Sequence, residues 1–269
     1  MPLRVLLDAG VVIHSEFAEP DLKETPLRWS DGSTLSVSGL KRKRPSDTED
    51  DRKQKEALFT VGRMIREHTI EGYTYSEIDH ETNRGAPSIQ EFNALYGCTI
   101  HKCEPAVERS RFFRTSDFRD FFAKGGKKDR RAGLIGGGSS QIDFLQFLSS
   151  LDSRCVDELV AQAGLIGLTQ FEIDSLRDLV WFQFVCERSG SSENYPDMFH
   201  LWTAKRNHLD AFLTLETKLP NIVNGMKNEK KKRIDIAIEV LRPLDLLHRF
   251  GISAPDPVPI NAGRFYPFC

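Results

Sequence analysis

The chain has 269 residues, of which 39% are hydrophobic and 28% are charged, and its formal net charge is −2 at pH 7. These fractions are ordinary for a globular protein, and the length suits one large α/β domain or a smaller domain with an insertion. A net charge so close to zero excludes a global attraction to nucleic acid, so any such binding must come from local patches. The sequence shows no secretory signal and no apolar run long enough to span a bilayer, and five cysteines, an odd number, favour a reducing cytoplasm.

The first predicted strand ends in an acidic residue. Val5 to Leu7 give the continuous apolar run of a central parallel strand, Asp8 follows at its carboxyl end, and Gly10 allows a tight turn into the next segment. Two roles are open for Asp8. It caps the helix that starts after Gly10, or it is a functional acid at the end of a strand, where ligands bind in open α/β sheets.

The next segment, from Glu19 to Asp51, has little hydrophobic periodicity. Its basic run from Lys41 to Arg44 is a candidate nuclear address or phosphate contact, but a solvated loop is the favoured interpretation because short basic runs are weak signals. The helical period returns from Asp51 to His68, where apolar residues recur at three- and four-residue spacing.

The segment from Glu71 to Gly85 predicts a strand followed by a helix that Ser76 can cap. Three acids follow Ser76 at close spacing, namely Glu77, Asp79 and Glu81. A solvated acidic start of a helix is the simpler interpretation of all three.

A zinc site is one interpretation of Cys98, His101 and Cys103. A structural zinc needs four ligands, however, and no second pair stands at suitable spacing, so an alternating strand from Thr99 to Val107 is favoured. The pattern from Cys103 to Arg188 then predicts an inserted lobe of about three helices.

A glycine-rich loop lies inside this lobe, from Gly125 to Gly138, and it is expected to be mobile. It is not a phosphate-binding loop, because no Gly-Lys-Ser/Thr sequence follows it.

The segment from Tyr195 to Lys218 carries two placed acids. Asp197 opens a predicted helix that ends near Asn207, and Glu216 ends the short buried strand from Ala211 to Leu215. Beyond it come a basic run, a strand to Leu241 and a proline-rich tail that is expected to pack as an extended strap.

Together these segments resemble the PIN-domain nucleases. LLDAGVVIH is similar to the opening strand of that family, and DMFHLWTA followed by FLTLE is similar to its D-x-x-H-L-A-x-A and F-L-T-x-D motifs. The acidic segment after Ser76 and the closing strand before a Pro-x-x-Leu-Leu helix complete the order. In the acidic segment the resemblance implies one inward-facing Glu. Glu81, four residues before Gly85, is selected for that role, and Glu77 and Asp79 are the alternatives. Gly10 and Glu216 depart from the family, which usually has a small polar residue and an Asp at those positions.

The resemblance implies a three-layer α/β/α fold around a central parallel sheet. Its strands are expected at Val5 to Leu7, Tyr73 to Tyr75, Phe212 to Leu215 and Ile236 to Leu241, with the first strand central. The implied domains are residues 1–102 and 189–269 as the two parts of the PIN-like core, and 103–188 as the inserted helical lobe.

The resemblance also implies a metal-dependent endonuclease that cuts RNA in preference to DNA. Asp8, Glu81, Asp197 and Glu216 are the implied catalytic residues and metal ligands, and an all-oxygen cluster suits Mg²⁺ or Mn²⁺ better than zinc. Asp8 and Asp197 are the expected main ligands. The metal would activate water and stabilise charge on the leaving oxygen of a phosphodiester.

The expected partner is single-stranded or structured RNA, held at its backbone by the basic segments Lys127 to Arg131 and Lys227 to Arg233. No membrane partner is expected, a homo-oligomer is open, and an antitoxin-type partner is not assumed. Two other functions are weighed. One is a PIN-like binding module that has lost catalysis, which Gly10 and Glu216 favour. The other is a phosphatase with Asp8 as nucleophile, which would want an Asp at position 10.

Overall fold

The computed structural model describes residues 1–26, 34–43, 48–82, 93–112, 138–227, 236–261 and 264–267. Several predicted features lie outside these residues. They are Arg44, Gly85, the glycine-rich loop up to residue 137 with its basic segment Lys127 to Arg131, and the basic run after Lys227.

A five-stranded parallel sheet forms the centre of the fold. The spatial order of its strands is β5-β4-β1-β6-β7, so β1 is the middle strand. Val5, Leu6 and Leu7 of β1 are fully buried, as an apolar central strand requires. In chain order the strands are β1 (Leu3–Leu7), β4 (Ile70–Thr74), β5 (Ile100–Lys102), β6 (Ala211–Leu213) and β7 (Glu239–Leu241).

The predicted α/β fold with a central parallel sheet is confirmed, and the flanking helices are consistent with three layers. Strands β1 and β4 pair in parallel, with Leu3 opposite Ile70 and Leu6 opposite Tyr73. The strand expected from Thr99 to Val107 is shorter than predicted. It covers only Ile100–Lys102.

A second sheet corrects the interpretation of the basic run that starts at Lys41 as a solvated loop. Strand β2 (Ala18–Pro26) pairs antiparallel with β3 (Thr34–Arg42), and β3 pairs antiparallel with β8 (Phe265–Pro267). Lys41 and Arg42 therefore lie in a strand and not in a loop. Strand β2 carries no hydrophobic alternation. Strand β3 alternates only briefly, with Leu35 and Val37 between polar residues, and this short signal was missed.

The chain divides into two compact units. The first contains residues 1–101, 213–217 and 240–269, and the second contains 102–212 and 218–239. The three-part division at residues 102 and 188 stays a prediction.

Helices of the first unit pack through polar contacts as well as apolar ones. They are α1 (Ala9–His14), α2 (Glu49–Arg66), α3 (Ser76–Thr82) and α11 (Pro243–Arg249). Thr48 is the N-cap of α2, and its hydroxyl accepts a hydrogen bond from the backbone of Asp51 at 3.3 Å. Gln54 of α2 accepts a hydrogen bond from the backbone of Leu244 at 3.0 Å, which ties α2 to α11.

The second unit is mostly helical in the part of it that the structure describes. A cluster of aromatic side chains lies in its core, where the rings of Phe182 and Trp202 stack with their centroids 5.0 Å apart. Glu172 is buried, and it accepts a hydrogen bond from Arg111 at 2.8 Å. Its helices are α4 (Gly138–Ser150), α5 (Ser153–Ala161), α6 (Ala163–Ile166), α7 (Gln170–Arg177), α8 (Leu179–Arg188), α9 (Tyr195–Arg206) and α10 (Lys218–Lys227).

Among the helices described above, none has both the length and the apolar character needed to cross a membrane.

Gly62 lets a loop approach α2 very closely. A Cβ atom at this position would lie 1.8 Å from the carbonyl oxygen of Ala94. The loop is further held by Arg66, whose Nη1 donates to the carbonyl oxygens of Ala94 at 2.9 Å and Tyr96 at 3.1 Å. The segment from Asn93 to Cys98 is therefore packed directly onto the helix backbone.

We expect Gly62→Ala to lower the free energy of unfolding by about 1–3 kcal/mol, because the loop backbone must move away from the added methyl group. The measurement is urea denaturation followed by circular dichroism. Gly225→Ala in α10 is the matched control, since no described atom lies within 4 Å of its Cβ position. It should raise the free energy of unfolding by up to about 1 kcal/mol. Equal effects of the two substitutions would contradict this account of Gly62.

Candidate active site

Asp8 lies at the carboxyl end of β1, immediately before α1, in extended backbone with φ −65° and ψ 153°. This is the N-cap position of α1, yet the Asp8 side chain makes no capping hydrogen bond. Its Oδ2 instead accepts a hydrogen bond of 2.7 Å from Thr214 Oγ1. The contact argues against the interpretation of Asp8 as a simple helix cap.

Thr214 follows β6 and is 1% exposed. Besides donating to Asp8, its hydroxyl accepts a hydrogen bond of 3.0 Å from the backbone N–H of Glu216. The backbone of Thr214 itself donates to the carbonyl oxygen of Leu241 at 3.0 Å, and that of Asp8 donates to Leu213 at 3.0 Å. One buried hydroxyl thus links the acid that ends β1 to the turn after β6.

Glu216 lies in this turn, two residues beyond Thr214, and its side chain is exposed. The hydroxyl that holds the Asp8 carboxylate also fixes the backbone of Glu216. Asp8 and Glu216 therefore follow neighbouring strands of the parallel sheet at the same edge, the position where open α/β sheets bind ligands.

The three candidate acids of α3 have different surroundings. Glu77 is buried, at 5% exposure, whereas Asp79 and Glu81 are partly exposed. Asp79 Oδ1 accepts a hydrogen bond of 3.3 Å from Thr74 Oγ1, at the end of β4. The role of Glu81 as a site residue stays a prediction.

Asp197 lies in the first turn of α9, in the second unit. In the same helix His200 is 2% exposed, and its ring stacks on Phe212 at 5.7 Å. The His of the D-x-x-H motif is therefore a core residue here. The convergence of Asp197 with Asp8 stays a prediction.

The side chains at the sheet edge that carries Asp8 and Glu216 can be compared with the needs of the expected metal ion. Within the described residues, no group of three or more His, Cys, Asp or Glu side chains could hold a metal ion. Mg²⁺ does not require such a cage, since it usually keeps several waters and binds through one or two carboxylates and the substrate phosphates. The carboxylates of Asp8 and Glu216 fit a hard cation held in this open manner.

A cavity of about 400 Å³ opens near the end of β4, within the first unit. It is bounded by α1, α3 and the loop that packs on Gly62. We call it the Asn93 cavity, and its lining residues are Val12, Thr74, Asp79, Thr82, Asn93, Leu95, Tyr96, Gly97 and Ile100.

A second cavity of about 400 Å³ carries basic side chains, but most of them are paired with acids. Arg42 pairs with Glu56 at 2.6 Å, and Lys43 pairs with Glu16 at 2.5 Å. Partial burial lowers the pKa of His14, which lines the same cavity, and the Lys55 ammonium adds to this effect. A cavity with such balanced charge does not by itself attract a polyanion.

Comparison of the chain with protein-family models, with curated proteins and with solved structures finds no match. The resemblance to the PIN-domain nucleases therefore rests on the sequence motifs.

Thr214 is the positioning residue that the sequence did not single out. We expect Thr214→Val, which keeps the shape but removes the hydroxyl, to lower the free energy of unfolding by about 1–3 kcal/mol. The loss has two sources, the hydrogen bond to the Asp8 carboxylate and the bond from the Glu216 backbone. Chemical denaturation measures it.

Thr214→Ser is the control, because it keeps the hydroxyl and removes only a methyl group. It should be clearly more stable than Thr214→Val. If Thr214→Val were as stable as the wild type, the hydroxyl would not be holding Asp8 in solution.

Proposed function

We propose that the chain is a metal-dependent phosphodiesterase, a PIN-like endonuclease that cuts RNA. The observation that carries the proposal is the hydrogen bond from Thr214 to Asp8, 2.7 Å long. A carboxylate at the N-cap of a helix normally accepts from that helix. Asp8 instead is held by another strand of the sheet, as expected of an acid whose role is to bind a ligand.

The arrangement of the strands supports the same proposal. Asp8 follows the middle strand of a parallel sheet, and Glu216 follows its neighbour β6. Carboxylates at this edge can act together on a bound phosphodiester, because the carboxyl ends of parallel strands open toward the ligand.

Each carboxylate has a separate task in the proposed reaction. Thr214 fixes Oδ2 of Asp8, and among the described residues Oδ1 has no hydrogen-bond donor, so it is available to a cation. Glu216 is exposed and reaches one bond further than the Asp that is usual in the family. A bound Mg²⁺ or Mn²⁺ would supply the Lewis acidity that lowers the pKa of the attacking water. Glu81 and Asp197 are proposed to complete the set of ligands.

RNA is proposed as the substrate on the basis of the resemblance and the charge distribution. The net charge of −2 leaves backbone binding to local basic segments, such as the one from Lys127 to Arg131. Binding through a few such contacts should weaken with rising salt concentration, as counterion release predicts.

We expect Asp8→Asn to reduce cleavage of a fluorescent single-stranded RNA by about a hundredfold or more in Mg²⁺ or Mn²⁺, since displacement of a ligand by ~1 Å already costs this much. The fold should survive, because the amide oxygen of Asn can still accept from Thr214. Titration with Mn²⁺ by calorimetry should show a matching loss of affinity.

The control for Asp8→Asn is Asp143→Asn, an exposed acid on α4 of the second unit. It carries the same change of charge and should keep wild-type cleavage. If the wild type cuts no RNA or DNA with either metal, the chain is better described as a PIN-like binding module that has lost catalysis.

The length of Glu216 gives a sharper test. We expect Glu216→Asp to preserve or increase cleavage, because it restores the family's usual residue while Thr214 keeps the backbone in place. Glu216→Gln, which keeps the length and removes the charge, should lower cleavage. Rates under single-turnover conditions compare the two variants. Full activity of Glu216→Gln would remove Glu216 from the proposed site.

A further inference from the structure

The Asn93 cavity has the volume and, among its described residues, the lining of a site for a small ligand. Its volume of about 400 Å³ falls within the usual range for small-molecule sites. Its described lining has one carboxylate, Asp79, and no Lys or Arg. Among these described residues, a phosphate group would meet the negative charge of Asp79.

The wall of the cavity is held in place before any ligand binds. Ala94 donates its backbone N–H to the carbonyl oxygen of Ser15 at 2.7 Å. Arg66 donates to the carbonyl oxygens of Ala94 and Tyr96, at 2.9 and 3.1 Å. A site with fixed walls loses little entropy when it binds a ligand, which favours affinity.

Asn93 presents its amide in one defined orientation. Its Oδ1 accepts hydrogen bonds from Ser15 Oγ at 2.7 Å and from the backbone of Leu95 at 2.8 Å. The amide nitrogen must then be on the other side, and it donates to no residue in the described part of the chain. Asn93 thus offers N–H donors to a ligand in the cavity.

Asp79 and Tyr96 supply an acceptor and an aromatic ring. A carboxylate can accept about four hydrogen bonds, so Asp79 can bind a ligand while it keeps its present contacts, which include the bond from Thr74. Tyr96 is 53% exposed at the edge of the cavity, where its ring can stack on a planar group. Val12 and Ile100 provide apolar surface.

We propose that the Asn93 cavity binds a guanine base of the RNA substrate, an inference that rests on the proposed nuclease function. Guanine carries two adjacent N–H donors, which match the two oxygens of one carboxylate, and a carbonyl oxygen that can accept from the Asn93 amide. The other three bases lack this pair of adjacent donors. Proteins read unpaired bases by this combination of edge hydrogen bonds and aromatic stacking.

The test measures binding of guanosine 5′-monophosphate to the full chain by calorimetry in EDTA, so that neither metal nor cleavage is needed. The monophosphates of adenosine, cytidine and uridine are the comparison. Guanosine monophosphate should bind at least about tenfold more tightly, the size of discrimination that a bidentate contact gives. Asp79→Asn should abolish this preference, whereas Asp143→Asn should leave it unchanged.

Tyr96 gives an independent variant that should not disturb folding, because Arg66 holds only its backbone. Tyr96→Ala should weaken the binding of guanosine monophosphate, and Tyr96→Phe should restore it. Circular dichroism and the melting temperature of each variant show whether a loss reflects unfolding.

The outcomes separate this inference from the proposed function. Selective binding of guanosine monophosphate without any RNA cleavage would support the cavity and contradict the nuclease. RNA cleavage together with equal affinity for all four nucleotides would contradict the proposal of a guanine site and leave the proposed nuclease function standing. Loss of Mn²⁺ binding in Asp79→Asn, with nucleotide binding unchanged, would also overturn it and make Asp79 a metal ligand.

Discussion

The hydrogen bond between Thr214 and Asp8 joins two residues that are 206 positions apart in the chain. It couples the middle strand to β6, and through the same hydroxyl it fixes the turn that carries Glu216. The bond to a charged acceptor is worth more than an ordinary one, about 1.5–3 kcal/mol. The Asp8 carboxylate and the backbone of Glu216 therefore both depend on a single side chain that is neither acidic nor exposed.

Gly62 and Arg66 play the corresponding role beside β4. Gly62 allows the carbonyl oxygen of Ala94 to lie against α2, and Arg66 binds two carbonyl oxygens of the same loop. This loop carries Asn93 and Tyr96, which line the cavity. The shape of the cavity is therefore set in part by the contacts that the loop makes with Gly62 and Arg66. At the Asp8 carboxylate and at the Asn93 cavity alike, the local geometry is thus organised by residues with other roles than binding a ligand.

The sequence predicted those parts of the fold whose burial leaves an apolar pattern. The run from Val5 to Leu7 predicted β1 and its central position, and the helix opened by Asp197 ends one residue before the expected Asn207. Strand β2 was missed because its residues give no hydrophobic alternation, and β3 was missed because its alternation, at Leu35 and Val37, is short. Thr214 belongs to the F-L-T-x-D-like motif that the sequence shows. Its hydrogen bond to Asp8 could not be predicted, because it depends on which strands are neighbours in the sheet, and residue spacing along the chain does not reveal this.

Gly10 shows how one departure from the family pattern can be offset by the fold. A side chain at this position would begin 3.4 Å from Oδ2 of Asp8, so a small polar residue there would lie beside that oxygen. In this chain the same oxygen is held by Thr214, which follows the neighbouring strand β6. The carboxylate thus keeps one fixed oxygen without help from position 10, and the absence of a polar residue there is a weaker argument against activity than the sequence suggested. The departure at Glu216 is not offset in the same way. Thr214 accepts a hydrogen bond from the Glu216 backbone and does not fix the position of the longer side chain. Of the two departures, the one at Glu216 therefore decides whether the proposed site can catalyse a reaction.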